Sequence, residues 1–276
     1  MVPGTGAAAD HRIAVALAAL VFSACAPAQD SAVAPPFVTT PEEVVDRMLR
    51  LAGTGPQDTV VDLGSGDGRI VIAAAKNFGS RAIGVDLDAK LVALSQENAR
   101  RAGVAQRTEF AVRDALKTDL SQASVVTVYL LPFLIDQLQP KFLAELKPGA
   151  RIVTHAFAMK GWKPDRSETV TLSRPHGTHD SKGERSEIHL WIIPAQARGE
   201  WQSSGWRLRI GQNFQEIEIE GELDGRAIDV KRARLEGSAV SFAGDGFRFR
   251  GSVGKDRITG ELMRAGVATT FEFTRR

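Results

Sequence analysis

Residues Asp62-Leu63-Gly64-Ser65-Gly66-Asp67-Gly68 lie between two apolar runs, Thr59-Val60-Val61 and Ile70-Val71-Ile72. Three glycines and two aspartates in seven residues suit neither a helix nor a strand. The stretch reads as the turn by which a strand enters a helix. Glycines there allow unusual backbone angles and let a ligand approach where side chains would clash. The helix start behind them offers unpaired N–H groups and the positive end of its dipole.

Outward from this turn the pattern alternates. Segments 59–63, 81–87, 108–112, 124–131 and 151–157 are rich in Val, Ile, Thr and Phe and read as strands. Helical patterns at 69–78, 89–102 and 133–146 end at Gly79, Gly103 and Lys147-Pro148-Gly149. Strands separated by helices imply right-handed crossovers and a parallel sheet covered on both faces. Two later strands, 168–172 and 188–193, are joined by a long polar loop and close the sheet as a hairpin. Upstream, Thr40 can cap a helix, Pro41 suits its first position, and Glu43 closes a capping box. Val44, Val45, Met48, Leu49 and Ala52 then form one apolar face, which Gly53 ends. Residues 40–195 are thus expected to form a doubly wound, Rossmann-like α/β domain. Ligands of such sheets sit beyond the carboxyl ends of the strands, where the topology switches.

The loop discriminates between ligands. A dinucleotide fingerprint would read G-x-G-x-x-G; here Gly64, Gly66 and Gly68 alternate, and Arg69 takes the place of the last glycine. Asp62 and Asp67 crowd the loop and repel a polyanion, but suit a ligand carrying an ammonium and a sulfonium. Asp86, ending the second strand, can accept both hydroxyls of a ribose. Asp114 follows the third strand, within reach of an adenine amino group. Turn capping is the alternative for each aspartate. Three carboxylates at successive strand ends favour the ligand.

Several stretches carry a family likeness. They are Pro36-Phe37-Val38-Thr39-Thr40-Pro41, Val61 to Val71 around the glycine turn, and Tyr129-Leu130-Leu131-Pro132. Pro148-Gly149-Ala150-Arg151-Ile152-Val153 and Gly161-Trp162-Lys163-Pro164 add to it. From about residue 37 to residue 194 the chain resembles class I S-adenosylmethionine-dependent methyltransferases. Within them it is similar to the small lysine methyltransferases of the mitochondrial adenine nucleotide translocase and the ATP synthase c-subunit, and to their prokaryotic relatives. The resemblance implies that Asp62 with Gly64, Ser65, Gly66, Asp67 and Gly68 holds the methionine part of S-adenosylmethionine. It implies that Asp86 takes the ribose, Leu87 packs on adenine, and Asp114 with the Ala115 backbone reads the adenine edge. Thr39 would approach from the segment before the first helix, and the acceptor would be a protein lysine.

The chemistry is less marked. Methyl transfer is an in-line displacement, so positioning of a deprotonated amine supplies much of the barrier reduction. Tyr129, the only tyrosine, closes the fourth strand and either orients an amine or serves as a core aromatic. His155 on the fifth strand reads as a satisfied core histidine. His176, His179 and Asp180 make an incomplete ligand set, so no metal is expected.

After Pro194 the pattern changes. A polar connector at 196–200 precedes about seven short alternating strands, with turns at Asp224-Gly225, Gly244-Asp245-Gly246 and Gly254-Lys255-Asp256. Residues 200–276 are expected to form a small antiparallel sandwich or partial barrel, an accessory domain with no catalytic signature.

At 276 residues and a formal charge of +2, composition gives no pull towards nucleic acid or membrane phosphate. The N-terminus says more. His11-Arg12, the apolar run from Ile13 to Phe22 and the small residues up to Ala28 describe a secretory leader over residues 1–28. Phe22-Ser23-Ala24-Cys25 resembles a lipobox, in which Cys25 is acylated and tethers the protein to a membrane; cleavage after Ala28 is the alternative. Residues 29–39 read as a linker. Two functions stand at this point: a methyltransferase acting on protein lysine, or an exported nucleoside-binding protein without catalysis whose β-domain binds a partner.

Overall fold

The computed structural model describes residues 1, 38–173 and 183–276; Cys25 with its leader, and His176, His179 and Asp180, lie outside the described residues. Among the described residues the first sheet has seven strands: β1 (Thr59–Leu63), β2 (Arg81–Asp86), β3 (Thr108–Val112), β4 (Val125–Val128), β5 (Arg151–His155), β6 (Arg166–Thr171) and β7 (Arg185–Ile192). They are ordered β3-β2-β1-β4-β5-β7-β6. β1 to β5 pair in parallel, and β7 runs antiparallel to both β5 and β6. The chain moves one way from β1 to β2 and β3, then returns to the other side of β1 for β4. That reversal opens a crevice at the carboxyl end of β1.

Four α-helices among the described residues accompany the sheet: α1 (Glu42–Leu51), α2 (Arg69–Asn77), α3 (Ala89–Arg101) and α4 (Pro132–Glu145). Successive strand residues point to opposite faces. Val60, Val125 and Val153 therefore join α1, α2 and α3 in one apolar cluster. Val61, Val126 and Ile152 join α4 in another. Three helices cover one face and one covers the other. The remainder of the second face is filled by Met159 and Trp162, after β5, and by Phe214 from the second sheet.

The start of α1 differs from expectation. Pro41 is the N-cap, and among the described residues no side chain caps the helix. Thr40 Oγ1 pairs instead with His155 Nδ1 at 3.3 Å, and Glu43 accepts from the Ser173 backbone N–H at 2.8 Å and from its hydroxyl. Groups suited to a local cap are spent on long-range bonds to β5 and to the end of β6, which anchor α1 against the sheet.

The second sheet has nine strands rather than about seven: β8 (Gly199–Ser203), β9 (Trp206–Asn213), β10 (Glu216–Leu223), β11 (Arg226–Ile228), β12 (Val230–Glu236), β13 (Ala239–Gly244), β14 (Phe247–Val253), β15 (Arg257–Arg264) and β16 (Val267–Arg275). Two physical reasons account for the difference. Residues 199–203, which begin within the polar connector, pair with β9, Trp201 facing Leu208, and bury that tryptophan. The run 226–236 bends at Asp229 into β11 and β12, which lie at opposite edges of the sheet. Consecutive residues at opposite edges mean a sheet curled nearly into a barrel, which leaves little open edge. Its interior holds Trp201, Trp206, Phe242, Phe249 and Phe273. Phe242 and Phe249 stack at 5.0 Å, and Phe273 meets Phe249 edge-on at 5.4 Å.

The two sheets meet at a specific joint. The Ala195 N–H donates to the Gly237 carbonyl at 2.8 Å, and Gln215 Nε2 donates to the Ile192 carbonyl at 2.7 Å. A Cβ on Gly237 would stand 2.9 Å from the Gly149 Cα, so the backbones approach there as only glycine permits. A protein ending at Ala195 keeps β1 to β7 but loses Phe214 and Gln215 from the joint. Losing roughly 2 kcal/mol of packing and hydrogen bonding should lower its thermal midpoint by roughly 4–8 °C. Equal midpoints in circular dichroism melts would show that the first sheet is self-sufficient.

Candidate active site

The glycine turn leaves β1 beside Asp62. Gly64, Gly66 and Gly68 have φ of 79°, 54° and 82°, all in the left-handed region that favours glycine. A Cβ on Gly64 would come within 2.7 Å of Leu130, and one on Gly68 within 2.9 Å of Phe110 and Ser95. The N–H groups of Gly64 and Ser65 both donate to the Val85 carbonyl at 2.9 Å, which fastens the turn to β2. From α3, Ser95 Oγ donates to the Gly66 carbonyl at 2.7 Å and Asn98 Nδ2 to the Asp67 carbonyl at 3.0 Å. Ser65 is buried, its hydroxyl directed at the space a Cβ on Gly84 would fill.

Strand register places the carboxylates. Asp62 faces Gly84 on β2 and Thr127 on β4. Thr127 Oγ1 donates to Asp62 Oδ1 at 2.7 Å. Asp62 is 2% exposed, and burial pushes its pKa up to about 7 against the Thr127 bond, with Asp86 and Asp67 adding repulsion. Asp86 ends β2. Its Oδ2 accepts the Gly66 N–H at 2.9 Å and its Oδ1 the Asp88 N–H at 2.9 Å. A carboxylate has about four acceptor sites, so Asp86 can take further donors while it braces the turn. Asp114 Oδ1 accepts the Leu116 N–H at 2.9 Å at the start of the 3-10 turn Ala115–Lys117. Leu87 is 71% exposed at the same edge.

Asp67 is committed elsewhere. It accepts from Arg69 Nε at 3.0 Å and Nη2 at 2.6 Å. Burial alone would raise its pKa, but the Arg69 bonds and charge outweigh this and hold it low. Arg69 Nη1 also donates to the Thr40 carbonyl at 2.8 Å, which brings the Thr39-Thr40 segment against the glycine turn.

The other side of the crevice is aromatic. β4 and β5 pair with Val128 facing Thr154, and one step farther the Tyr129 and His155 rings meet at a tilt of 41° with centroids 4.1 Å apart. His155 is buried, bonded to Thr40 Oγ1 and, through Nε2, to Ser186 Oγ at 3.2 Å. The histidine is satisfied as expected of a core residue, and it supports Tyr129. Burial raises the Tyr129 pKa, so its phenol stays protonated at neutral pH. Leu131, Phe133 and Phe157, which leave β4 and β5 at this edge, are exposed.

The crevice therefore joins a glycine cradle, three carboxylates and a half-buried tyrosine. Thr127, Ser95, Asn98 and Ser186 were not singled out from the sequence, and Arg69 was noted only as replacing a fingerprint glycine. Ser95 and Asn98, polar residues three apart on the face of α3 that carries buried Val92 and Ala99, were the available signal for two of them.

The chain is similar to several known proteins. The model of the ANTKMT methyltransferase domain matches residues 62–166. A protein-lysine N-methyltransferase of Saccharolobus islandicus is 43% identical over 159 residues, 57% of this chain and 93% of that protein. The chain belongs to this family. The mouse lysine N-methyltransferase of the ATP synthase c-subunit is 40% identical over 134 residues, 48% of this chain. The chain spans only 53% of that relative's length. A crystal structure described as an RNA methyltransferase from Salinibacter ruber, bound to S-adenosyl-L-homocysteine, is 43% identical with a TM-score of 0.51. The match covers 58% of this chain and 95% of that one. The chain is thus an S-adenosylmethionine-dependent methyltransferase, and its crevice fits that cofactor. Carboxylates at the strand ends suit a cationic nucleoside, and the glycines leave room for one.

The Asp62 pKa has a measurable consequence. In the folded protein Asp62 keeps its proton up to about pH 7, whereas an unfolded chain releases it near pH 4. Stability is therefore lost between those values as pH rises. A cationic ligand beside Asp62 favours the carboxylate, so binding releases a proton and strengthens as pH climbs through 7. Calorimetric titration should show S-adenosylhomocysteine binding roughly tenfold tighter at pH 8 than at pH 6, and Asp62→Asn should flatten the dependence. A flat wild-type profile would place the cofactor ammonium away from Asp62.

Proposed function

We propose that the chain transfers a methyl group from S-adenosylmethionine to the ε-amino group of a lysine in a protein. The observation that carries the choice of acceptor is the rim beside Tyr129. Phe133 is 56% exposed and Phe157 36%, with Leu131 and Val38 also open to solvent. An apolar rim suits the stem of a lysine and the side chains that flank it. RNA phosphates would need a basic one, and Arg69 at this edge is spent on Asp67 and Thr40. The Saccharolobus relative, matched over 93% of its length, carries a protein-lysine name, which supports the same acceptor.

In this reading the glycine turn with Asp62 holds the methionine end of the cofactor and Asp86 accepts from the ribose. Leu87 and Asp114 with Ala115 border the adenine, while Thr39 closes the near side. The bound cofactor supplies an electrophilic methyl on a sulfonium. The protein's part is to take up the amine after it has lost its proton to bulk water, orient it and exclude water around it. Tyr129 donates no proton at neutral pH; its hydroxyl and ring align the amine, and the apolar rim lowers the amine pKa by desolvation.

Two measurements test the proposal. Asp86→Ala removes two charge-assisted hydrogen bonds, each worth roughly 1.5–3 kcal/mol, so S-adenosylhomocysteine affinity should fall at least about tenfold. Unchanged affinity would sink the role of Asp86. For the acceptor, incubation of a cell extract with methyl-labelled cofactor should put label into protein as methyl-lysine. Label confined to RNA would overturn the lysine reading while leaving the cofactor site intact.

Export rests on residues 11–28 alone. If the leader works, the mature chain begins at an acylated Cys25 or at Gln29, and intact-mass analysis will find one or the other. A retained Met1 would defeat export.

A further inference from the structure

The C-terminal sheet has no chemical signature of its own, yet it reaches the acceptor side of the crevice. The chain leaves β5 at His155, the residue whose ring meets Tyr129 at a tilt. Ala156 follows with φ 66°, a left-handed angle strained for any residue with a Cβ. This turn leaves Phe157 exposed at the rim while Met159 and Trp162 return to the interior. The Thr154 hydroxyl donates to the Phe157 carbonyl, and the Lys160 N–H donates to Asp136 on α4 at 3.3 Å.

Trp162 is 2% exposed, and among the described residues its indole N–H has no hydrogen-bond partner. Its ring is therefore placed by packing. Trp191 lies 6.4 Å away at a steep angle and donates its own indole N–H to the Trp162 carbonyl at 2.9 Å. The flat contact comes from Phe214, with centroids 4.7 Å apart and planes within 7°.

Phe214 occupies the turn between β9 and β10 at φ 52°. Glycine or asparagine would sit there with less strain, and Asn213 stands one place too early to take that angle. A bulky ring held at such an angle implies that its placement outweighs the backbone cost. Side chains on both flanks pin the turn. Gln212 Nε2 donates to the carbonyls of Phe214 and Ala195, each at 2.9 Å, and Gln215 Nε2 to that of Ile192.

We propose that Phe214 is a positioning residue for methyl transfer. Through Trp162, the C-terminal sheet sets the wall of residues 157–163 that borders Tyr129. It takes the part of a further helix on the face that α4 alone covers. The inference uses the proposed function only in placing the acceptor at Tyr129, and it holds for any acceptor that enters there.

Amide hydrogen exchange on the full chain tests it, with S-adenosylhomocysteine affinity measured in parallel. Phe214→Ala should speed exchange at residues 157–163 by roughly tenfold or more and leave cofactor affinity within about twofold. Phe214→Tyr, which keeps a flat ring, should restore wild-type exchange, whereas Phe214→Leu, apolar but not flat, should not. Unchanged exchange in the alanine variant would overturn the proposal. So would faster exchange that extends through β1 and β2 and is not rescued by tyrosine, because Phe214 would then serve global stability only. A wild-type protein that fails to bind S-adenosylhomocysteine would defeat the cofactor assignment and leave the exchange result standing.

Discussion

Asp62 is a carboxylate where a central parallel strand would ordinarily carry an aliphatic residue. Its neighbours Val61 and Leu63 are buried, and so is Asp62. One hydroxyl, Thr127 Oγ1, bonds to it. With a pKa near 7, holding it ionised above neutrality costs the fold on the order of 4 kcal/mol. Such a group is tolerated when something else needs its charge. The register that pairs Asp62 with Gly84 and Thr127 also sets Asp86 and Tyr129 at the same edge, because neighbouring parallel strands end together. Crevice, cradle and aromatic wall follow from that alignment.

The alternation of strands and helices was readable because β1 to β5 are short and rich in β-branched residues, and the helical patterns between them stop at Gly79, Gly103 and Gly149. The ligand class was readable for a different reason. Asp86 ends β2, Asp62 lies one residue before the end of β1 and Asp114 two residues past β3, so a linear pattern projects onto one edge of the sheet without knowledge of side-chain angles. Bonds between residues far apart in the chain were not readable. Thr40 and Glu43 satisfy the local rule for a helix cap, but the structure spends them on His155 and Ser173, more than a hundred residues away. Asp67 likewise counts as a loop carboxylate in the sequence, and only its geometry shows it clamped by Arg69. In the second sheet, the alternation of apolar and polar residues was plain. The bend at Asp229 and the pairing of 199–203 depend on partners elsewhere in the sheet.

The outer face of the second sheet mixes its charges. Arg207 pairs with Glu222, Arg209 with Glu200 and Arg257 with Glu272 across neighbouring strands. Exposed pairs of this kind contribute about 0–1 kcal/mol each. Pairs of opposite sign side by side build no single-sign field there that would gather a polyanion. The sheet's consequence for the rest of the molecule lies at the joint, where Phe214, Gln215 and Gly237 meet the first sheet.

A continuous polar chain links the two halves of the crevice. Asp67 holds Arg69, Arg69 holds the Thr40 carbonyl, and the Thr40 hydroxyl meets His155, whose ring packs at a tilt against Tyr129. Each link joins a different element: the glycine turn, α2, the segment before α1, and β5. Thr40 and His155 are buried, so breaking the bond between them would leave a buried group unpaired at a cost of about 1–3 kcal/mol, while the Arg69 links are only partly buried. Turn and tyrosine are thereby held at a fixed separation without a side chain that spans the crevice. Methyl transfer asks for such an arrangement, because an in-line displacement tolerates little error in the distance between the two reacting atoms. The open space between turn and tyrosine is then left to the reactants, and the rigidity that defines it comes from Thr40, Arg69 and His155 behind its walls.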